Sequence, residues 1–325
     1  MPQGSILGPL LYTLYTNELP EVLSQEQVYK EGSDDICCYA DDTTLTCRSS
    51  DHSKLSENLS NQHSKIADFL GDNRLKLNED KTYLVVISTQ QARLRSQSAN
   101  LVKIRTGKAP IKPIEKQKLL GCWIQDDLKF NNHIRDSEDN LIKLLNQRVN
   151  AMKTISRVTN FQSRKLLANG IFMSKLSYLI TIWSNCSKEL LNSIQIVQNR
   201  AARVVTNRDW REGSQEILKQ VGWLSVYQLS FYFKVLQVHQ IRINKQPEKL
   251  FNMMNWEYTY STRQAKKGLV KPIGIPKLKI SKGSFRWQAA EFYNKLPTDL
   301  LEIQDVRQFK RDVKVWIREN VSFRA

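Results

Sequence analysis

The chain has 325 residues, of which 41% are hydrophobic and 9% aromatic, enough for one large or two modest cores and too apolar for disorder throughout. Lysine and arginine (49) outnumber aspartate and glutamate (32), and the resulting charge of +17 suits a polyanionic partner such as nucleic acid better than a neutral ligand. The longest apolar run, residues 176–183, falls far short of the roughly 20 residues a spanning helix needs, and no basic region precedes the N-terminal apolar stretch, so neither a membrane span nor a secretion signal is expected.

The charge is uneven. Residues 1–100 carry 9 basic and 14 acidic side chains, whereas residues 101–325 carry 40 and 18. A polymerase needs such a division, with carboxylates to gather divalent metal and basic surface to hold phosphate. The same numbers also describe an ordinary solvated basic surface. Cys37, Cys38, Cys47, Cys122 and Cys186 are odd in number and lack C-x-x-C spacing, which signals neither a disulfide framework nor zinc and fits a reducing, intracellular compartment. His52, His63, His133 and His239 are scattered without metal-ligand spacing.

In chain order, Ser5–Tyr15 is apolar and interrupted by Gly8-Pro9, as at a turn or helix start. Ile36–Tyr39 and Thr43–Cys47 are rich in β-branched and aromatic residues and flank Ala40-Asp41-Asp42, which predicts a hairpin with two acids at its tip. Leu55, Leu59, Ile66, Phe69 and Leu70 share one helical face in 53–70, and Gly71 is expected to stop that helix. Strands are predicted at 75–77, 83–88 and 119–124, with a polar loop over 89–100. Helical periodicity then covers 134–157, 164–184, 189–205, 226–243 and 309–317. Lys266–Gly283 reads as an extended basic loop, and Arg307, Lys310, Arg311, Lys314 and Arg318 make a basic tail.

Tyr39-Ala40-Asp41-Asp42 is the strongest chemical signal, because adjacent carboxylates on a hairpin tip hold Mg²⁺ while leaving positions for substrate phosphates. Alone, it reads more readily as a solvated turn, where aspartate is favoured for backbone reasons. It is preceded by Pro2-Gln3-Gly4-Ser5-Ile6-Leu7-Gly8-Pro9-Leu10 and followed by Leu77-Asn78-Glu79-Asp80-Lys81-Thr82 and Leu120-Gly121-Cys122-Trp123-Ile124. In this order the blocks resemble the palm motifs of non-LTR, jockey-like retrotransposon reverse transcriptases. Residues 196–203 (IVQNRAAR) and 293–297 (YNKLP) are similar to the thumb and post-thumb segments of such elements.

The resemblance implies an α+β architecture: an incomplete palm of antiparallel sheet and helices over 1–130, a helical thumb over 131–210 and a basic helical region over 211–325. It implies a Mg²⁺-dependent RNA-directed DNA polymerase acting on an RNA template, a DNA primer and deoxynucleoside triphosphates. Asp41 would be a direct metal ligand and Asp42 a second or supporting one. Gln3, Gly4, Tyr39 and Ala40 would line the nucleotide and template site, Lys81 would face the departing pyrophosphate, and Gly121 and Cys122 would belong to the primer grip. Lys81 equally suits an exposed position before a strand, and Leu120 and Ile124 suit packing in a strand. None of Trp183, Trp210, Trp223, Trp256, Trp287 or Trp316 is assigned to binding, since tryptophan at helical spacing is more often core.

The family supplies a further metal-binding aspartate upstream of the block that opens this chain, so the expected object is a fragment unable to copy RNA alone. Asp34 and Asp35 do not replace it: along an extended strand Asp35 would lie about 20 Å from Asp41. A non-enzymatic nucleic-acid-binding remnant is the alternative. Palm strands without sheet neighbours leave an unpaired edge and apolar surface. The isolated chain is therefore expected to be poorly soluble or partner-dependent, and a monodisperse protein that melts cooperatively in size-exclusion and calorimetric measurements would contradict this.

Overall fold

The computed structural model describes residues 4–24, 35–89, 91, 102–106, 109–209, 211–254, 256, 270 and 282–323. Gln3, Asp34, Trp210, most of the loop read at 89–100 and most of Lys266–Gly283 lie outside the described residues. The architecture is mixed, with helices and two small two-stranded sheets. The chain divides into two compact units, residues 1–117 with 125–127, and residues 118–124 with 128–325.

The first unit opens with α1 (Gly8–Tyr15), which has Pro9 in its first turn where a missing N–H costs nothing, and α2 (Leu19–Ser24). β1 (Asp35–Tyr39) and β2 (Asp42–Thr46) pair antiparallel, from Asp35 opposite Thr46 to Tyr39 opposite Asp42. α3 (His52–Asp72) starts on Asp51, whose Oδ1 accepts from the Ser53 N–H at 2.8 Å. Gly71 does not end this helix; the chain runs on to Asp72, and Arg74 takes the left-handed conformation with φ 55°.

Leu59, Leu84, Val102 and Ile104 form the buried centre of this unit, with Leu45, Cys47, Leu55, Val86 and Ile111 packed around it. Ser56 and Ser60 of α3 accept backbone N–H groups of Lys103 (3.2 Å) and Arg105 (3.0 Å) on their hydroxyls. The strands predicted at 75–77 and 83–88 do not form. Leu84 makes an isolated parallel bridge to Pro113, and Ile104 pairs briefly with Ile111, so among the described residues no neighbour runs along these segments to complete a ladder.

The strand predicted at 119–124 is instead a hairpin, β3 (Lys116–Leu119) and β4 (Cys122–Gln125), turning at Leu120-Gly121. Both turn residues have positive φ, 46° and 80°, the requirement of a tight turn that follows strand twist. Periodicity alone sees the apolar residues on both sides and runs them together.

In the second unit a π-turn (Asn132–Asp136) leads into α4 (Leu141–Ser156) and α5 (Phe161–Ala168). The single helix predicted over 164–184 is broken. After α5 come a π-turn (Asn169–Met173), α6 (Ser174–Ser177) and α7 (Ile180–Trp183), with Leu179 at φ 54° between the last two. The Tyr178 carbonyl, released at that break, accepts from the Trp183 indole N–H at 2.8 Å.

α8 (Lys188–Thr206) is capped by Ser187 and buries Leu190, Leu191, Ile194, Val197, Ala201, Ala202 and Val205 on one side. Helices that the pattern missed lie beyond α8, among them α9 (Ser214–Val221), between Gly213 and Gly222, and α12 (Phe285–Tyr293), capped by Ser284. Between these lie α10 (Val226–Asn244) and α11 (Glu248–Met253). α13 (Thr298–Leu301) and α14 (Val306–Asn320) complete the described chain. The segments read as thumb and as basic C-terminal region share one core, in which Ile194, Phe231, Tyr293 and Phe309 are all buried. Among the described residues no helix is long and apolar enough to cross a membrane.

Three buried bases interrupt that core. The Lys234 ammonium, 1% exposed, has only neutral oxygens for partners, Asn185 Oδ1 at 2.9 Å and Gln288 Oε1 at 2.5 Å, and burial lowers its pKa to about 7. The His239 ring stacks on Phe309 at 3.6 Å, with Nδ1 3.1 Å from the Tyr293 hydroxyl. Burial lowers His239 and His133 each to about 4. Unfolded imidazoles titrate near 6.5, so between roughly pH 6.5 and 4 the unfolded chain binds protons that the fold refuses. Stability is whole above that window and is lost as the pH falls, by on the order of 1–3 kcal/mol per histidine. The thermal midpoint should drop between pH 6.5 and 5, before most carboxylates protonate, and His133→Gln with His239→Gln should flatten that slope; a flat wild-type profile would refute neutral burial.

Candidate active site

The β1–β2 tip closes through a two-residue connection, Ala40-Asp41, with Ala40 at φ 51°. A non-glycine residue in this conformation costs on the order of 1 kcal/mol, and such strain gathers where a tip must aim a side chain. Tyr39 is 66% exposed, and Ala40, Asp41 and Asp42 are exposed as well. Both carboxylates are exposed, and neither makes an ion pair with a described residue.

Tyr12 of α1 comes close to this tip. Its hydroxyl pKa is raised by burial first and then by the charges of Asp41 and Cys38. Tyr12 therefore stays protonated beside Asp41, and it is a site neighbour that the sequence reading passed over. Its place within the apolar 5–15 stretch gave a helix signal and no chemical one. α1 itself is held by the Tyr15 hydroxyl, which donates to the Asn73 carbonyl at 2.5 Å. Gly4 has φ 89°, and a Cβ there would meet nothing within 4 Å, so the backbone is open to a ligand.

Lys81 ends a 3₁₀ turn, Glu79–Lys81, and is exposed; no ion pair joins it to Asp41 or Asp42. Asp35 pairs with Thr46 at the far end of the hairpin from Asp41, as the extended spacing required. Among the described residues no group of three or more His, Cys, Asp or Glu side chains could hold a metal ion. Two exposed carboxylates fit a Mg²⁺ ion that takes its remaining oxygens from water and substrate phosphate, and they do not by themselves fit a two-metal centre.

Gly121 and Cys122 lie in the second unit. Cys122 is 2% exposed, and burial pushes its thiol up to about 11, so its side chain belongs to the core. The accessible part of this motif is the Leu120-Gly121 turn. The Leu120 carbonyl accepts from the Tyr178 hydroxyl at 2.8 Å. Beside the turn, Asp139 accepts from Trp123 Nε1 at 2.8 Å and pairs with Lys118, while burial and the neighbouring charges of Arg148 and Lys118 lower Lys175. Trp183 and Trp223 are buried.

Residues 1–124 match the profile of the family described as reverse transcriptase (RNA-dependent DNA polymerase). That region, which contains both hairpin tips, is where the similarity to reverse transcriptases lies. The chain is 24% identical over 210 residues to the probable RNA-directed DNA polymerase from transposon X-element of Drosophila melanogaster, covering 65% of this chain and 22% of that protein. It is 26% identical over 207 residues to that of transposon BS (64% and 22%), and 24% over 254 residues to that of mobile element jockey (77% and 26%), both from the same fly. The relatives of this chain are thus RNA-directed DNA polymerases of non-LTR mobile elements. The chain spans about a quarter or less of their length. No solved structure matches it.

The turn at Leu120-Gly121 makes an opposite-sign test. Gly121→Ala forces an L side chain to φ 80° and should destabilise by about 1–2 kcal/mol, whereas Leu120→Asn supplies the residue preferred at this position and should stabilise by roughly 0.5–1 kcal/mol. Urea melts of the two variants check both signs.

Proposed function

We propose that the chain is part of an RNA-directed DNA polymerase of a non-LTR mobile element, its β1–β2 tip forming the metal-binding edge of a palm and its α4–α8 helices a thumb. The observation that carries this reading is the pair of exposed, unpaired carboxylates, Asp41 and Asp42, on a strained two-residue tip within the reverse-transcriptase region. The two would hold Mg²⁺ together with phosphate oxygens of a deoxynucleoside triphosphate, and the ion would supply charge to the leaving pyrophosphate.

The residues around the tip take the remaining work. Tyr12, kept protonated, borders Asp41. Gly4, with Gln3, lets template or nucleotide approach the backbone, and Tyr39 and Ala40 line the same edge. Lys81, exposed on its turn, offers a proton or a positive charge to departing pyrophosphate. The Leu120-Gly121 turn, rather than the Cys122 side chain, meets the primer. Two carboxylates fall short of a two-metal centre, so the full reaction draws on a further aspartate from another part of the polymerase. A reducing, intracellular setting suits the exposed Cys37 and Cys38 thiols beside the carboxylates.

A second reading, a nucleic-acid-binding module without catalysis, is favoured by one observation, the excess of 40 basic over 18 acidic residues in 101–325. Mg²⁺-dependent primer extension on an RNA template separates the two. The chain alone should be silent, the chain within a longer polymerase that supplies the preceding region should extend, and Asp41→Ala in the latter should cost on the order of 10³-fold. Extension by the chain alone would overturn the need for a further aspartate. Silence of all three with retained RNA binding would favour the second reading.

A further inference from the structure

At the C-terminal end of α9 three cations meet without a counter-ion among the described residues. Gly222, at φ 81°, gives its carbonyl to Arg318 Nη2 of α14 at 2.7 Å. A Cβ placed on Gly222 would stand 3.8 Å from that nitrogen and 3.7 Å from Lys165 Nζ of α5, so two positive side chains from different helices reach one point. Lys314, one turn before Arg318, is half-buried beside them. Burial first, then Arg318 and Lys165, lower its pKa, and no carboxylate is among the groups that act on it.

A helix C-terminus attracts cations, but its carbonyls amount to about half a negative charge, too little for three. Neither Lys165 nor Lys314 is paired with an anion among the described residues. Along α14 the positive side chains Arg307, Arg311, Lys314 and Arg318 recur at i, i+4, i+7 and i+11, which is one face of a helix. The acids Asp312 and Glu319 fall on another flank. The apolar face of α14, Phe309, Val313 and Ile317, is sealed in the core, which leaves that face unable to enter a membrane surface as an amphipathic helix would.

We propose that Lys165, Lys314 and Arg318 form a site for a backbone phosphate of a nucleic-acid strand, and that Arg311 and Arg307 continue the track along α14. The proposal rests on the reading that the chain holds nucleic acid and is independent of whether it copies it. The phosphate supplies the missing negative charge, the Gly222 backbone leaves room for it to approach, and the linear spacing of the stripe suits a polymer rather than a single ion.

The test is binding of a fluorescent single-stranded RNA oligonucleotide by the full chain across a salt series. Lys165→Gln with Lys314→Gln keeps the Arg318–Gly222 hydrogen bond, so its fold is preserved. This variant should bind several-fold more weakly at low salt and lower the slope of log K against log salt by most of the roughly 0.7 that one phosphate contributes, and adding Arg318→Gln should remove the remainder. Asp41→Ala should keep the full slope, so failure of the polymerase reading leaves this site standing. Lys153→Gln with Lys188→Gln, the same charge loss elsewhere in the second unit, should change the slope less. An equal change in that control would overturn the site, as would an unchanged slope in the first variant.

Discussion

Two buried glutamines on α8 set the arrangement of the second unit. Gln195 and Gln198 sit among leucine, valine and alanine side chains, where an amide without partners would cost on the order of 1–3 kcal/mol. Every polar atom they have finds one. Gln195 Nε2 donates to Gln198 Oε1 at 2.9 Å and its Oε1 accepts the Val226 N–H at 2.8 Å, while Gln198 Nε2 donates to the Leu224 carbonyl at 2.9 Å. Those contacts pin the 222–226 connection, and with it the start of α10. There Ser225 and Gln228 cap each other's backbone, and Gln228 reaches the Val321 carbonyl beyond α14 at 2.9 Å. The helices thus cannot slide past one another without stranding an amide in hydrocarbon.

The first unit has no comparable anchor. Its buried centre is four residues, and α1 leaves Leu7, Leu10, Leu11 and Leu14 exposed by 43–64%. A lone two-stranded ribbon is marginal in water, and here it carries the two carboxylates. Chemistry and instability sit on the same elements because a tip that must present unpaired charge to a ligand cannot also bury it.

Much of this was legible in the sequence for identifiable reasons. The β1–β2 hairpin and its acids stood out because β-branched residues flank a short polar break, and α4, α8, α10 and α14 because their apolar residues return every three or four positions. The segments 196–203 and 293–297 were read as family resemblance, and the structure gives their physical content: Gln198 lies in the α8 network, Tyr293 touches His239, and Asn294 binds both backbone groups of Val270. What was missed depends on contacts between distant residues. Nothing in a local pattern separates Leu120-Gly121 as a turn from a strand with a glycine in it, or breaks a helix at Leu179 to feed an indole. Tyr12 became part of the site only when α1 was laid beside β1.

Burial sorts four of the five cysteines of the chain into two chemical populations. Cys122 and Cys186 are pushed up to about 11 and 12, protonated and shielded, whereas Cys37 and Cys38 are exposed on β1 and end a few residues from the carboxylates. A maleimide dye added to the native chain would therefore concentrate on that strand, placing a fluorescent reporter beside Asp41 and Asp42 without mutagenesis. For the same reason any oxidant in a preparation would strike there before it reached the helical core.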